Sequence, residues 1–175
     1  TKQYELGFKA DIGNLNAGVS LFQMTKPSGQ LDGNIFDVNA EQRNRGLEFT
    51  LQGEVAQGVR VFSGVTFLDA KLTKTNSPAT EGNRPVGAPK FQANLGVEWD
   101  VPKATGLTLL GNVIHSGKQY VNQTNTANLP AWTRVDVGAR YCTQFNGKAV
   151  TLRANLQNAF NKKYWSGVAT YGSFS

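Results

Sequence analysis

His115 and Cys142 are the only histidine and the only cysteine in the chain. General acid–base or nucleophilic catalysis needs such a group beside a partner of matched role. No Ser/His/Asp, Cys/His or paired-carboxylate arrangement surrounds either residue in the sequence, so an enzyme is not expected. Metal ligation needs clustered His, Cys or carboxylate at characteristic spacings, and these too are missing, so neither a metal site nor a cofactor is expected. A single cysteine forms no intrachain disulfide. The remaining candidates are charges at alternate positions: Arg134, Asp136, Arg140 and Arg153, with Glu48, Glu54, Glu98 and Asp100 upstream. Such groups can pair across a strand ladder. Their simplest reading is a wall of mutually satisfied ions; contact with an enclosed segment or guidance of a ligand is the functional alternative.

The elements that would carry these charges repeat every two residues. Val150, Leu152, Ala154 and Leu156 alternate with Thr151, Arg153, Asn155 and Gln157. Val135, Val137, Ala139 and Tyr141 alternate with Arg134, Asp136, Gly138, Arg140 and Cys142. Asn146-Gly147 between them is a tight-turn signal. Similar alternation runs from Phe91 to Asp100, Leu47 to Glu54 and Tyr4 to Ala10, and less cleanly through Ala17–Met24, Val59–Leu72 and Leu107–Tyr120. This predicts eight strands. Short connections (11–16, 56–58, 101–106, 145–148) interleave strictly with long polar ones (25–42, 73–88, 121–130, 161–175). All short turns then fall at one end of the strands, as in outer-membrane barrels.

Composition points the same way. Apolar residues are 39% and charged residues 17% of the 175, against roughly 45–50% and about 25% in soluble domains. Ten Phe, five Tyr and three Trp argue against disorder. No run approaches the ~18 apolar residues of a spanning helix, which leaves barrel strands open. The net charge of +6 suits an anion-attracting rim, although compensating acids elsewhere in a longer chain are the simpler source. The basic residues are scattered, so no nucleic-acid partner is expected. Alternation alone fits both a barrel and a soluble sandwich. Tyr4, Trp99, Tyr120, Trp132, Tyr141, Tyr164 and Trp165 near strand ends favour the barrel, as interfacial girdle residues. His115 is read as another girdle residue.

Several motifs, in order, resemble the C-terminal barrel of TonB-dependent siderophore receptors. Asn155-Leu156-Gln157-Asn158-Ala159-Phe160-Asn161-Lys162-Lys163-Tyr164-Trp165 is similar to the family's penultimate-strand signature. Glu5-Leu6-Gly7-Phe8-Lys9, Arg45-Gly46-Leu47-Glu48, Gly82-Asn83-Arg84-Pro85 with Pro89, and Pro130-Ala131-Trp132 with Val135-Asp136 match further segments. The resemblance spans the chain and implies an all-β fold. That fold would be an antiparallel transmembrane β-barrel of the bacterial outer membrane, here its C-terminal portion over residues 1–175. About eight of about 22 strands would be present. The plug domain, the TonB-contacting segment and the last strand would lie outside this sequence, whose start at Thr1 rather than Met suggests a piece of something longer.

The function so implied is TonB-dependent uptake of a ferric siderophore, with hydroxamate receptors of the ferrichrome kind most similar. The implied partners are the siderophore, the TonB complex, outer-membrane lipid and lipopolysaccharide. Iron would arrive only inside its chelator. Ligand contacts are expected on the long loops, where aromatic faces suit a bulky chelate. The candidates are Tyr171, Phe174, Trp165, Tyr120 and Phe36. The first two rank highest because the equivalent last loop contributes to the pocket in the receptors it resembles. A porin, an adhesin or a secreted β-sandwich binding module are the alternatives.

Overall fold

The computed structural model describes residues 1–32 and 35–168, and side chains outside 30–39. It holds ten strands: β1 (Lys2–Ile12), β2 (Leu15–Asp32), β3 (Ile35–Ala56), β4 (Val59–Lys74), β5 (Phe91–Asp100), β6 (Leu107–Ser116), β7 (Gln119–Tyr120), β8 (Asn128–Leu129), β9 (Trp132–Phe145) and β10 (Lys148–Leu156). Eight form one antiparallel sheet in the order β1-β2-β3-β4-β5-β6-β9-β10, and β7 and β8 make a separate small ribbon. Every neighbour in the large sheet is also the next of these eight strands in sequence. Each pair is therefore a hairpin, and the longest connections are 75–90 between β4 and β5 and 117–131 between β6 and β9. At the β9–β10 turn, Asn146 and Gly147 have φ of 50° and 74°. Those angles suit a type I′ turn, whose twist matches the flanking strands.

Register decides which side chains share a face. Leu6 lies opposite Leu21, Leu21 opposite Leu47 and Leu47 opposite Phe67. Further along, Val97 faces Gly111, Gly111 faces Val137 and Val137 faces Leu156. One continuous side of the sheet is thus apolar. On the other side the row Asp11, Asn16, Gln52, Phe62, Gly96, Asn112 and Asp136 crosses the sheet from strand to strand. That side is mostly polar, with Phe22, Met24, Phe62, Leu68, Leu72, Leu110 and Ile114 among its apolar exceptions.

Among the described residues, no second sheet covers the apolar side. Leu6 is 75% exposed, Phe8 68%, and Leu152 and Leu156 59% each, and among the described residues no large side chain is fully buried. A sandwich would bury this face to obtain its hydrophobic stabilisation; here hydrocarbon must supply the apolar surroundings. The ten-residue strands β5 and β6 match the roughly 9–11 residues that cross a bilayer. β1 pairs only with β2, and β10 pairs within the sheet only with β9. The sheet is an open arc of wall, as expected for about eight strands of a larger barrel.

Two expectations change. The connection 25–42 is not a polar loop: β2 and β3 stay paired through Lys26↔Gln42 and Pro27↔Glu41 up to Asp32↔Ile35, with a bulge at Ser28/Gln30. Backbone pairing continues there without the apolar alternation that reveals a strand, because neither face has to meet lipid. The segment 107–120 divides at Ser116, and Tyr120 belongs to the β7–β8 ribbon rather than to the wall.

Candidate functional site

Short turns at one end leave the longer connections together at the other, so any ligand-facing surface must be built there. The chain leaving β10 is fixed first. Asn158 holds a φ of 54°, a conformation Asn tolerates better than most residues. Its N–H donates to Asp136 Oδ1 at 2.7 Å, and its own Oδ1 accepts from the Lys162 N–H at 2.8 Å. Arg134 Nη2 pairs with Asp136 at 2.9 Å, while Arg134 Nη1 donates to the Tyr164 hydroxyl at 3.1 Å. The Tyr164 ring stacks on Trp132, with centroids 4.4 Å apart and planes at 23°. The signature segment is therefore a clamp that folds the chain after β10 back onto β9. Beside it an open recess of about 490 Å³ is lined by Pro130, Ala131, Trp132, Lys162, Lys163, Tyr164 and Trp165.

Trp132 shares the polar face of Arg134 and Asp136 and lies opposite Ser116. It is not a lipid-girdle residue, and Tyr164, stacked on it, is drawn to the same side. The signal was present in the sequence: Trp132 has the parity of the charged residues of its strand. Tyr4, Trp99 and Tyr141 do lie on the apolar face near strand ends. His115 joins them, with its Nδ1 2.8 Å from Thr133 Oγ1 and its ring centroid 5.6 Å from that of Phe91.

Of the five ligand candidates, two can be placed. Trp165 is 71% exposed at the recess. Tyr120 lies in the β7–β8 ribbon with Lys118 Nζ 5.5 Å from its ring centroid, and its carbonyl accepts from the Gly87 N–H at 3.0 Å. Tyr171 and Phe174 lie outside the described residues, as does the side chain of Phe36. Arg84, which sequence reasoning passed over, is 7% exposed beneath the loops. Its Nη1 donates to the Leu68 carbonyl at 3.0 Å, and Asp69 lies 3.6 Å from its Nη2. Burial pushes its pKa below the ordinary guanidinium value, with Asp69 opposing the shift; a guanidinium keeps its charge regardless.

A second cluster sits low on the polar face. Arg60 grips Asp100 with two bonds of 2.6 and 2.8 Å and reaches Glu98 at 3.2 Å. Thr108 donates to Asp100 at 2.8 Å, and Arg140 meets Glu98 at 3.0 Å. Two cations and two carboxylates cancel across β4, β5, β6 and β9, which fits a satisfied wall network. Arg153, expected in the same network, is directly opposite Arg140. It has no ion-pair partner among the described residues.

A family model described as the TonB dependent receptor-like β-barrel matches residues 1–159. The chain belongs to that family. Ferrichrome receptor FcuA of Yersinia enterocolitica is 40% identical over 176 residues, covering 99% of this chain and 23% of that protein. The probable TonB-dependent siderophore receptor PiuA of Acinetobacter baumannii is 29% identical, covering 93% of this chain and 23% of its own length. The crystal structure of BauA, the ferric preacinetobactin receptor of the same species, superposes with a TM-score of 0.84 and 46% identity over 93% of this chain and 26% of that one. The chain thus spans about a quarter of these TonB-dependent receptors. As a member of this family it is a segment of an outer-membrane β-barrel, with its apolar face in the lipid and its polar face toward the bore.

Proposed function

We propose that the receptor containing this barrel segment binds a ferric siderophore at its outer mouth and imports it with energy passed through the TonB complex. The observation that carries this reading is the 40% identity to a ferrichrome receptor across almost the whole chain. A hydroxamate chelate of the ferrichrome kind is the first candidate. Residues 1–175 then serve as the C-terminal part of the barrel wall. Trp165 and Tyr120 are the candidate ligand contacts among the described residues, the stacked Trp132–Tyr164 pair adds an aromatic surface beside Trp165, and Tyr171, Phe174 and Phe36 remain candidates. Iron enters as cargo inside the chelator, so the protein is a transporter with no resident cofactor and no catalytic residue. Its other partners are outer-membrane lipid and lipopolysaccharide around the apolar face and the TonB complex through an N-terminal region; nucleic acid is not among them.

The test is growth of a strain lacking the full-length gene under iron starvation, fed one siderophore at a time. One siderophore should fail to support the mutant and should support its growth again once the gene is restored. If mutant and parent grow alike on every siderophore, uptake is not the function.

A further inference from the structure

Two connections at the outer mouth, 75–90 and 117–131, are joined most closely through the side chain of Asn125, which makes two hydrogen bonds to one residue. Asn125 adopts a φ of 57°. Its Oδ1 accepts from the backbone N–H of Arg84 at 2.8 Å, and its Nδ2 donates to the carbonyl of the same Arg84, also at 2.8 Å. A primary amide thus pairs with both backbone groups of one residue, as a β-ladder partner would. Aspartate supplies the acceptor without the donor; glycine allows the φ and supplies neither. Two more bonds run alongside, from Asn83 Nδ2 to the Gln123 carbonyl at 3.0 Å and from the Gly87 N–H to the Tyr120 carbonyl at 3.0 Å. Arg84 in turn is fixed by its buried guanidinium to the end of β4. The first connection also bonds there directly, from the Leu72 N–H to the Asn83 carbonyl and from the Gly82 N–H to the Leu72 carbonyl, each at 2.8 Å.

We propose that Asn125 is a positioning residue that latches connection 117–131 onto connection 75–90, so that the two move as one body anchored on β4 and carry Tyr120 and Lys118 at a fixed place over the bore. Its bearing on ligand capture rests on the reading of Tyr120 as a ligand contact; the mechanical coupling does not.

Amide hydrogen exchange on the full-length receptor, purified without siderophore, tests the coupling. Asn125→Gly keeps the backbone angle and removes both bonds. Arg84→Met removes the tie to β4 from the opposite side. Asn122→Ala is the control, because the Asn122 side chain bonds only within its own connection, to Thr126 and Ala127. Asn125→Gly and Arg84→Met should each raise exchange about tenfold in both connections, the scale set by losing one or two buried hydrogen bonds. Asn122→Ala should raise it in 117–131 alone. The latch is overturned if Asn125→Gly or Arg84→Met loosens one connection without the other, if neither changes anything, or if Asn122→Ala loosens both equally. Heat-modifiable mobility on gels confirms that each variant still forms its barrel. Siderophore affinity measured on the same samples tests the Tyr120 reading separately, since it can fail while the exchange pattern holds.

Discussion

In the spanning wall, Leu6, Phe8, Val137, Leu152 and Leu156 are exposed. In the outer cap, Ala70, Leu72, Thr80, Arg84, Ser116 and Gln119 are buried, and Leu72, Thr80, Arg84, Ser116 and Gln119 make hydrogen bonds beyond the strand ladder of the wall. The two regions belong to one sheet and its connections but answer to different solvents. The wall needs no protein core, since lipid accepts its apolar face and the strand ladder satisfies its backbone. The cap stands in water, where irregular backbone must find partners of its own. It does so through backbone bonds, side-chain amides and one guanidinium, with only small apolar burial at Ala70 and Leu72. Sensitivity to substitution should therefore separate by region and by face.

The largest effect should come from a charge on the lipid face. Val113→Arg, in mid-strand on β6, should cost about 2–4 kcal/mol of barrel stability. The neighbouring Asn112→Lys, on the bore face, should change little. Urea unfolding in lipid vesicles reads both, and equal effects would break the distinction between the faces. Next comes the cap. Arg84→Ala should leave the Leu68 carbonyl without its donor at a cost of about 1–3 kcal/mol. That loss should appear as faster proteolysis in 75–90 with the global unfolding midpoint unchanged; a shifted midpoint would mean that cap and wall unfold together.

Smaller still is the bore-face ion network. Asp100→Asn should lower the unfolding midpoint slightly in dilute buffer, and the difference should shrink in concentrated salt, as expected for charges within reach of solvent. A salt-independent loss would show that the network behaves as a buried core. The smallest effect is Arg153→Gln. It relieves a like-charge pair opposite Arg140, and the unfolding midpoint should stay level or rise slightly. A marked fall would reveal an acidic partner for Arg153 in the rest of the receptor.

Much of the wall was legible in the sequence. The alternation at Val135–Tyr141 and Val150–Leu156 placed both strands and both faces, and Asn146-Gly147 placed their turn. The number of strands in the large sheet and the face of every predicted lumen charge also followed from parity. Two readings went astray for identifiable reasons. Pro27 and the polar residues around it looked like loop because pairing above the membrane needs no alternation. Trp132 and Tyr164 were grouped with the girdle by residue type and nearness to strand ends, although Trp132 carries the parity of Arg134. The ligand candidates Trp165 and Tyr120 were found on outer connections, but nothing local revealed that Tyr120 sits in a ribbon bonded to Gly87.

The sequence by itself determined which side of each strand meets hydrocarbon, because a period of two is a property of neighbouring residues and survives without any tertiary partner. Only the tertiary structure decided the cap. Asn125 and Arg84 are 41 residues apart, and Arg134 and Tyr164 are 30 apart. Nothing in the local pattern of either member announces the other, since each pair is formed by the hairpin order of the sheet and not by the periodicity of any strand.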